Sequence, residues 1–388
     1  MNKFKYCLLA AALTATTAIG FSSCSDDDDD ESTANPAENV VKAQKKHDTA
    51  LLLCSFGSTY HEATNVYKQI VEEFTQEFGD KADIYLSFSS NTCIKRLQAS
   101  RNESYYFVDQ WLNAFGKVGY KKVAVQSLHV IPGEEYLAVM NSKVKKDFMI
   151  RDYPNIDVLK GDNLLATEED TQDVATALYN HYKENLKDNK HILLLMGHGN
   201  PNDSYNANQK YTDIQTAMRA MTDGKNNVIV GTVDYGKMLF WPINEDSKYK
   251  EPLDTPNPEC VYSQLEKYCK DHNLQPQDIT IYLAPFMSIA GDHAHNDLWG
   301  LEDGNDTKGI TAKSKCSWRL KLQALGYNID QTETHPSGQA DADHGIENGC
   351  KVRALGDYSE IRKIWLNHLK ENWNDVDAWE NGQDYQPE

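Results

Sequence analysis

The sequence lacks the short motifs that mark several common enzyme classes. It contains neither GxSxG nor a P-loop, so serine hydrolase and nucleotide chemistry have no support. It also has no HExxH helix and no cysteine cluster, which argues against a metalloprotease and against a structural zinc site. Positive charge is scarce, because 39 Lys and Arg stand against 58 Asp and Glu and give a formal net charge of -19. This charge argues against a nucleic-acid partner, whereas metal cations would be attracted.

The N-terminal region has the pattern of an exported, lipid-anchored protein. A short basic start and an apolar run ending at Phe21 precede the sequence Ser22-Ser23-Cys24. The run is shorter than the roughly 20 residues of a membrane-spanning helix, so we predict a signal peptide over 1–23 and lipidation of Cys24. The acidic run 26–31 predicts a solvated tether over 24–47 and resembles export signals of some surface lipoproteins. We therefore expect anchoring to a membrane of the cell envelope, in the periplasm or on the outer-membrane surface.

From Thr49 onward, short β-rich apolar runs alternate with longer amphipathic stretches, which is typical of βα units around a mostly parallel sheet. The pattern restarts at His191, so we predict two α/β halves, 48–187 and 188–372, and a loose tail over 373–388. The predicted strands are 50–55, 84–88, 123–128, 156–159, 191–196, 228–233, 279–286 and 351–355. The predicted helices are 60–78, 105–115, 134–148, 168–186, 211–221, 258–272, 318–325 and 359–372.

Three polar segments, 237–257, 301–315 and 331–349, interrupt this alternation and are predicted as loops, either lids or surface decoration. The cysteines outside the signal and lipid site do not have the spacing of a metal site. Export permits disulfides, and we expect Cys316 to pair with Cys350 if a bond forms. The sequence leaves open whether the chain forms a homo-oligomer.

Reactive side chains follow the predicted strands directly. Ligands of open α/β sheets bind beyond the carboxyl ends of the strands, and His198, Asp234 and His293 occupy such positions in the second half. Two imidazoles and a carboxylate suit cobalt, iron, nickel or zinc better than magnesium or calcium, so we predict a divalent metal site. The alternatives are a turn histidine for His198 and a helix cap for Asp234. We expect Asp292 to orient the His293 ring. His295 is either a further ligand or exposed, and we expect it to be exposed.

In the first half, Ser55, Ser58 and Thr59 follow one strand and His129 follows another. His129 either contacts a substrate or satisfies a buried backbone carbonyl. These loops are expected at the same edge of their sheet, because the carboxyl ends of parallel strands lie together.

Five segments carry a resemblance to a known family. They are Ser55-Phe56-Gly57, His129-Val130-Ile131-Pro132-Gly133-Glu134-Glu135-Tyr136, Met196-Gly197-His198-Gly199, Val230-Gly231-Thr232-Val233 and Ala290-Gly291-Asp292-His293-Ala294 with Asn296-Asp297. In this order, over about residues 49–370, they resemble the anaerobic sirohydrochlorin cobaltochelatases, relatives of ferrochelatase. The resemblance implies two Rossmann-like domains with a tetrapyrrole in the cleft between them.

The resemblance also implies a metal bound by two histidines and a glutamate. The corresponding residues here are His198, His293 and Asp234, so the carboxylate is one methylene shorter than in the family. In this assignment His198 is base and ligand, His293 is the second ligand, and Asp234 is a proton acceptor or cation guide. The residues implied to contact the tetrapyrrole and its carboxylates are Ser55, Phe56, Gly57, Ser58, Thr59, His129, Gly133 and Glu134.

Two functions are consistent with these features. One is a chelatase that inserts cobalt, or iron, into sirohydrochlorin or a related ring. The other is a cell-envelope protein that captures haem or another tetrapyrrole for uptake or removes its metal. The retained motifs favour metal contact in either case. The change from glutamate to Asp234, the added loops and the export signal favour the second function, because corrin synthesis takes place in the cytoplasm. A third possibility is that the site binds only a metal ion. We take the chelatase as the prediction.

Overall fold

The computed structural model describes residues 35–385 except 203–204, 241–257, 302, 334, 336–339 and 348. The predicted signal peptide and Cys24 lie outside the described residues. The α-helices are α1 Pro36–Gln44, α2 His61–Phe78, α3 Asn91–Arg101, α4 Val108–Val118, α5 Glu134–Leu137, α6 Glu168–Tyr182, α7 Gln209–Ala220, α8 Val261–Asp271, α9 Trp318–Ala324 and α10 Ser359–Lys370. Two helices are π-helical, Ala138–Asp152, which continues α5, and His293–Trp299. Short 3₁₀ turns cover Pro276–Asp278, Ala342–His344, Leu355–Asp357, Val376–Ala378 and Gly382–Asp384.

The strands form two parallel four-stranded sheets. They are β1 Thr49–Ser55, β2 Asp83–Phe88, β3 Lys122–Ser127, β4 Asp157–Gly161, β5 His191–Gly197, β6 Val228–Thr232, β7 Thr280–Pro285 and β8 Asn328–Ile329. The strand orders are β2-β1-β3-β4 and β6-β5-β7-β8. In the first sheet Ala50 pairs with Asp83 and Val123. The prediction of an α/β fold with parallel sheets is therefore confirmed.

The central strands are buried on both faces, which explains why their sequences are continuous apolar runs. Successive side chains of β1 point to opposite faces, so Leu51 and Leu53 lie in one apolar cluster and Leu52 in another. Leu193 and Leu195 of β5 belong to the same cluster as Leu51. One apolar core thus contains side chains from both sheets.

Helix α10 belongs to the second half in sequence but packs against the first. Trp365 is fully buried, and its indole N–H donates to the backbone oxygen of His129 at 3.4 Å. His368 lies 3.0 Å from the Asp170 carboxylate on α6. The second half is therefore completed by contacts with the first, and the boundary predicted near residue 188 stays a prediction.

Both ends of the described chain pack on the body. Helix α1 falls within the predicted tether, yet it packs on α4 with Ala37 and Val41 fully buried. At the other end, Trp373 contacts Phe78 with ring centroids 4.4 Å apart. Glu380 bridges the edge strand β4 through two backbone hydrogen bonds to Val158, of 2.7 and 3.1 Å. The prediction of a loose tail is wrong for residues 373–385.

Three further predictions differ from the structure. Residues 351–355 do not form a strand, and the fourth strand of the second sheet is the two-residue β8. Helix α3 was not predicted. Cys316 and Cys350 are both free, and Cys350 is fully buried beside Glu62, so the expected disulfide is wrong. Within the described residues, no helix is long and apolar enough to cross a membrane.

Candidate functional site

The strand order places two crevices at the carboxyl ends of the sheets. In each sheet the order reverses beside its first strand, so the loops after β1 and β3, and after β5 and β7, diverge. Loops of the two sheets contact each other there, since the backbone N–H of Glu134 donates to the Asn200 side-chain oxygen at 2.9 Å. Ser58 also lies beside Gly291. The crevices of the two sheets are therefore joined.

His198, Asp234 and His293 come together at this edge of the second sheet. One donor atom of each lies within 4.8 Å of the others. Nε2 of His198 is 3.7 Å from an Asp234 carboxylate oxygen, and the two imidazole centroids are 4.9 Å apart. The side chains are 46%, 42% and 35% exposed, in the order just given. The three predicted ligands are thus adjacent and accessible, and their role as ligands stays a prediction.

Two glycines determine how His198 is presented. A Cβ on Gly197 would lie 2.2 Å from the Tyr211 ring, and a Cβ on Gly199 would lie 2.4 Å from the Tyr235 backbone oxygen. Gly199 also has φ of +92°, a conformation that favours glycine. Nδ1–H of His198 donates to the Gly199 carbonyl at 2.8 Å, which leaves Nε2 free to face Asp234.

Asp297, not Asp292, orients the His293 ring. Nδ1–H of His293 donates to the Asp297 carboxylate at 2.7 Å, because residues four apart lie on one face of the helix that contains them. Asp292 instead accepts a hydrogen bond from Asn296 at 2.9 Å. Burial lowers the pKa of His293, but the hydrogen bond and charge of Asp297, with the charge of Asp234, outweigh it and raise the pKa overall. A carboxylate partner at Nδ1 is typical of metal-ligating histidines, with Nε2 left for the metal.

Asp234 is positioned by backbone pairing beyond the end of β6. Its N–H donates to the His198 carbonyl at 3.1 Å, and the N–H of Val233 donates to the Gly197 carbonyl at 2.8 Å. These bonds hold the two turns side by side. The shorter aspartate side chain therefore reaches the His198 ring.

Glu135 of the first half faces the same cluster, although the sequence-based assignment named only its neighbour Glu134. Burial raises the pKa of the Glu135 carboxyl, and the positive charges of His198 and His293 oppose the rise. Its carboxylate lies 3.9 Å from Nε2 of His129. Glu135 could have been singled out because it follows the same strand as His129 and carries a titratable group.

His129 has one engaged and one open ring nitrogen. Nδ1 is 2.9 Å from the Ser127 hydroxyl, while Nε2 is buried and has no hydrogen-bond partner among the described residues. Burial lowers the pKa of His129 to about 4, so the ring is neutral near pH 7. His129 thus does not satisfy a backbone carbonyl with its side chain, and its open nitrogen lies towards Glu135.

In the loop after β1, Phe56 is a large apolar side chain that is exposed to solvent. Its side chain is 47% exposed. Gly57 has φ of +100°, and a Cβ there would lie 2.7 Å from Phe88. The hydroxyl of Ser55 is buried and lies 2.6 Å from the Tyr67 hydroxyl. Its predicted contact with a ligand stays a prediction.

The other predicted ring-contacting residues serve the contact between loops. Ser58 is 4% exposed, and Thr59 lies 2.9 Å from Nε2 of His344. A Cβ on Gly133 would lie 2.9 Å from the Asn200 side-chain oxygen, so glycine permits that approach. Glu134 is exposed at this contact.

His295 is not exposed, which corrects the sequence-based expectation. It is fully buried, with Nε2 2.9 Å from the Glu62 carboxylate and its ring stacked on Tyr60. Burial lowers its pKa, but Cys350 and Glu62 outweigh burial and raise it to about 10. His295 and His293 therefore lie in different environments although they are two residues apart.

A hollow of about 790 Å³ lies at the opposite end of the first sheet. Its lining includes the lysines that precede β1 and β2, Lys42, Lys45, Lys46 and Lys81. None of the predicted site residues lines it. The predicted site residues follow the carboxyl ends of the strands instead.

The structure defines an α/β protein with two parallel four-stranded sheets and an open cluster of two histidines and a carboxylate at the strand ends of the second sheet. Comparison with known proteins agrees with this class. The family described as cobalt chelatase (CbiK) matches residues 49–238 and 261–374. The chain belongs to this family of chelatase enzymes, as predicted.

Two relatives show how far the similarity extends. The sirohydrochlorin cobaltochelatase of Salmonella typhimurium is 25% identical over 281 residues, which cover 71% of this chain and 85% of the relative. The sirohydrochlorin cobaltochelatase CbiKC of Nitratidesulfovibrio vulgaris is 24% identical over 323 residues, 82% of this chain and 88% of the relative. Among solved structures, SirB from Bacillus subtilis with Fe3+ has a TM-score of 0.46 at 15% identity, with 85% of this chain and 97% of SirB covered.

Proposed function

We propose that the protein inserts a divalent metal ion, cobalt first and iron or nickel as alternatives, into a tetrapyrrole of the sirohydrochlorin type. The observation that carries the proposal is the accessible cluster of His198, Asp234 and His293, whose donor atoms lie within 4.8 Å of one another. The two relatives named as sirohydrochlorin cobaltochelatases support the choice of metal and ring. In this proposal the cluster receives the ion and passes it to the ring.

The balance of protons suits two histidines. Insertion of a divalent ion displaces two N–H protons from the pyrrole nitrogens, so two bases are needed. When the ion leaves His198 and His293, both Nε2 lone pairs become free and can accept those protons. Asp234 compensates the charge of the bound ion, and its partial exposure keeps the cluster open to exchange.

Glu135 provides a route for the protons to leave. It lies within electrostatic range of His198 and His293 on one side and 3.9 Å from His129 on the other. Although the Glu135 side chain is 53% exposed, desolvation raises the pKa of its carboxyl above the ordinary value of a glutamate. We assign Glu135 as the proton acceptor that faces the cluster from the first half, with the neutral His129 ring beside it.

The exposed Phe56 is assigned to stack on the ring. Aromatic side chains pack against flat π-systems, and Phe56 is the large apolar side chain that the loop after β1 exposes. Of the residues implied by resemblance, Glu134 is also exposed here, whereas Ser55 and Ser58 are buried. The ring is thus proposed to contact the first half mainly through Phe56 and the loop after β3.

We propose in addition that the chain is exported and anchored in the cell envelope through a lipid on Cys24. The sequence pattern of residues 1–31 supports this location. Metabolic labelling with a radioactive fatty acid should label the wild type and not Cys24→Ser. Equal labelling of both would contradict the anchor.

Export also motivates a second candidate function. A chelatase fold outside the cytoplasm could capture haem or another metallated tetrapyrrole and remove its metal, which uses the same three residues in the reverse direction. The exposed Phe56 and the open cluster would serve this role equally well.

The two functions are separated by absorption spectroscopy of the purified full chain. Metal-free sirohydrochlorin with cobalt(II) should be converted to the cobalt complex by the wild type and not by His198→Ala. His191→Ala is the matched control, since His191 lies at the other end of β5 and pairs with Asp188 on the surface. Tight haem binding without cobalt insertion would overturn the chelatase proposal in favour of the second function.

A further inference from the structure

A second group of potential metal ligands lies in the interior of the molecule. Glu62 belongs to the first turn of α2, His295 to the π-helix His293–Trp299, and Cys350 to the segment before α10. Each residue is 0% exposed, and one donor atom of each lies within 4.8 Å of the others. Three distant parts of the chain therefore deliver a carboxylate, an imidazole and a thiol to one point.

Hydrogen bonds fix the orientation of these groups. Nδ1–H of His295 donates to the Gly291 carbonyl at 2.8 Å, which directs Nε2 towards Glu62 at 2.9 Å. The other carboxylate oxygen of Glu62 accepts the backbone N–H of Cys350. Tyr60 stacks on the His295 ring with centroids 3.9 Å apart. A metal-ligating histidine usually donates its Nδ1–H to a group such as a backbone carbonyl, while its Nε2 faces the metal and the other ligand atoms.

The chemical composition of the group also favours a metal ion. A carboxylate, an imidazole and a thiol together in a dry interior cost free energy unless charge is compensated. Sulfur, nitrogen and oxygen donors together suit zinc or cobalt, whereas calcium and magnesium prefer oxygen alone. No disulfide competes for the sulfur, because Cys350 is free.

A neighbouring cluster of acidic side chains already contains a cation and serves as a comparison. His61, Asp341 and Asp343 also lie within ligand distance of one another. The Arg101 guanidinium enters that cluster, with Nε 3.0 Å from the Asp343 carboxylate. An arginine already compensates these acids, so a metal ion is not needed there. Around Glu62, His295 and Cys350 no arginine or lysine makes such a contact among the described residues, so the cation that faces Glu62 is either the protonated His295 ring or a metal ion that replaces its proton.

We propose that Glu62, His295 and Cys350 bind a resident divalent metal ion of the zinc class, which links α2 to the π-helix and to the C-terminal segment. Binding requires the Cys350 thiol and the His295 imidazole in their deprotonated forms, so protons are released to solvent as the ion enters. Because the π-helix also carries His293, the ion holds the exposed cluster in place relative to the first half. It is separate from the metal that the exposed cluster would transfer.

The test is metal analysis of the full chain purified without added metal. We expect about one zinc per chain that resists dialysis against EDTA, and X-ray absorption with one sulfur neighbour at about 2.3 Å. A protein without such metal, or with metal that has only nitrogen and oxygen neighbours, would overturn the proposal. This measurement uses the wild type alone and does not depend on whether a variant folds.

Variants then locate the ion. Protein produced with cobalt(II) in place of zinc should show a sulfur-to-cobalt charge-transfer band in the near ultraviolet. We expect Cys350→Ser to lose this band, whereas Cys316→Ser and His293→Ala should keep it. A band that persists in Cys350→Ser contradicts the assignment, as does its loss in Cys316→Ser.

Discussion

His293 and His295 lie two residues apart on one π-helix, yet they belong to clusters of opposite character. His293 is 35% exposed and faces Asp234 and His198, which are exposed to a similar degree. His295 is completely buried against Glu62 and Cys350. An ion that must be handed on requires ligands that solvent and substrate can reach, whereas an ion that supports the fold requires a closed site. In our two proposals, one helix provides a ligand for each kind of site.

The largest expected effect is loss of insertion when the exposed cluster is broken. His293→Ala removes a ligand and a proton acceptor together, so we expect the rate of cobalt insertion to fall by about 100-fold or more. The rate is measured from the absorption of the cobalt complex, with His191→Ala as the surface control. A fall of less than about threefold would show that His293 is not part of the metal-transfer site.

The next effect concerns the group that orients His293. Asp297→Asn removes the carboxylate partner of Nδ1, and such partners typically contribute about 10- to 100-fold in metal affinity or activity. Asp292→Asn is the matched control, because Asp292 bonds to Asn296 and not to the ring. Affinity for cobalt(II) by competition with a chromogenic chelator measures both. Equal losses in the two variants would contradict the orientation seen here.

A smaller effect is expected for the proton route. Glu135→Gln keeps the shape but removes the basic carboxylate, and we expect insertion to slow by about 10-fold while cobalt affinity stays within about twofold. Glu169→Gln on the exposed surface of α6 is the control. A loss of cobalt affinity equal to the loss of rate would instead make Glu135 a metal ligand.

The smallest effect is on the free energy of unfolding and concerns α10, which packs against the first half of the chain. The pKa of Asp170 is lowered, because the hydrogen bonds to His368 and Thr167 outweigh burial, which raises it. The pKa of His368 is raised, because Asp170 outweighs burial, which lowers it. The aspartate stabilises the fold above its unfolded pKa of about 3.9, and the histidine does so below its unfolded pKa of about 6.5.

The ion pair therefore stabilises the fold most between these two values, and its contribution from His368 is lost as pH rises through the raised pKa. We expect His368→Ala to lower the free energy of unfolding by about 1–2 kcal/mol near pH 5 and by less at pH 8. Lys363→Ala, exposed on the same helix, is the control. Denaturant unfolding at both pH values measures the difference, and a loss that is larger at pH 8 would contradict the pairing.

The exposed cluster could be predicted from the sequence because it depends only on which residues follow each strand. His198, Asp234 and His293 each follow a strand, and the carboxyl ends of parallel strands lie at one edge. The resemblance to a known family added the identity of the chemistry. The strands were predictable for a similar reason, since both faces of each sheet are covered and their sequences are apolar throughout.

The buried cluster could not be predicted, because it depends on contacts between distant residues. His295 is enclosed by Glu62, 233 positions away, and Cys350 joins them from a segment rich in polar residues. The role of Asp297 depends on the helix His293–Trp299, which was not among the predicted helices and which places residues four apart on one face. The docked tail was missed because Glu380 pairs with Val158 by backbone bonds, which are independent of side-chain type.

A single-turnover experiment tests the division between the two clusters most directly. The full chain, produced with cobalt(II) in place of zinc, is loaded with further cobalt(II), freed of excess metal and mixed with an excess of metal-free sirohydrochlorin. We predict that about one cobalt per chain enters the ring while about one stays with the protein and keeps its sulfur charge-transfer band. No transfer to the ring would contradict the proposed chelatase, and transfer of all bound cobalt would contradict the distinction between an exchangeable and a resident ion.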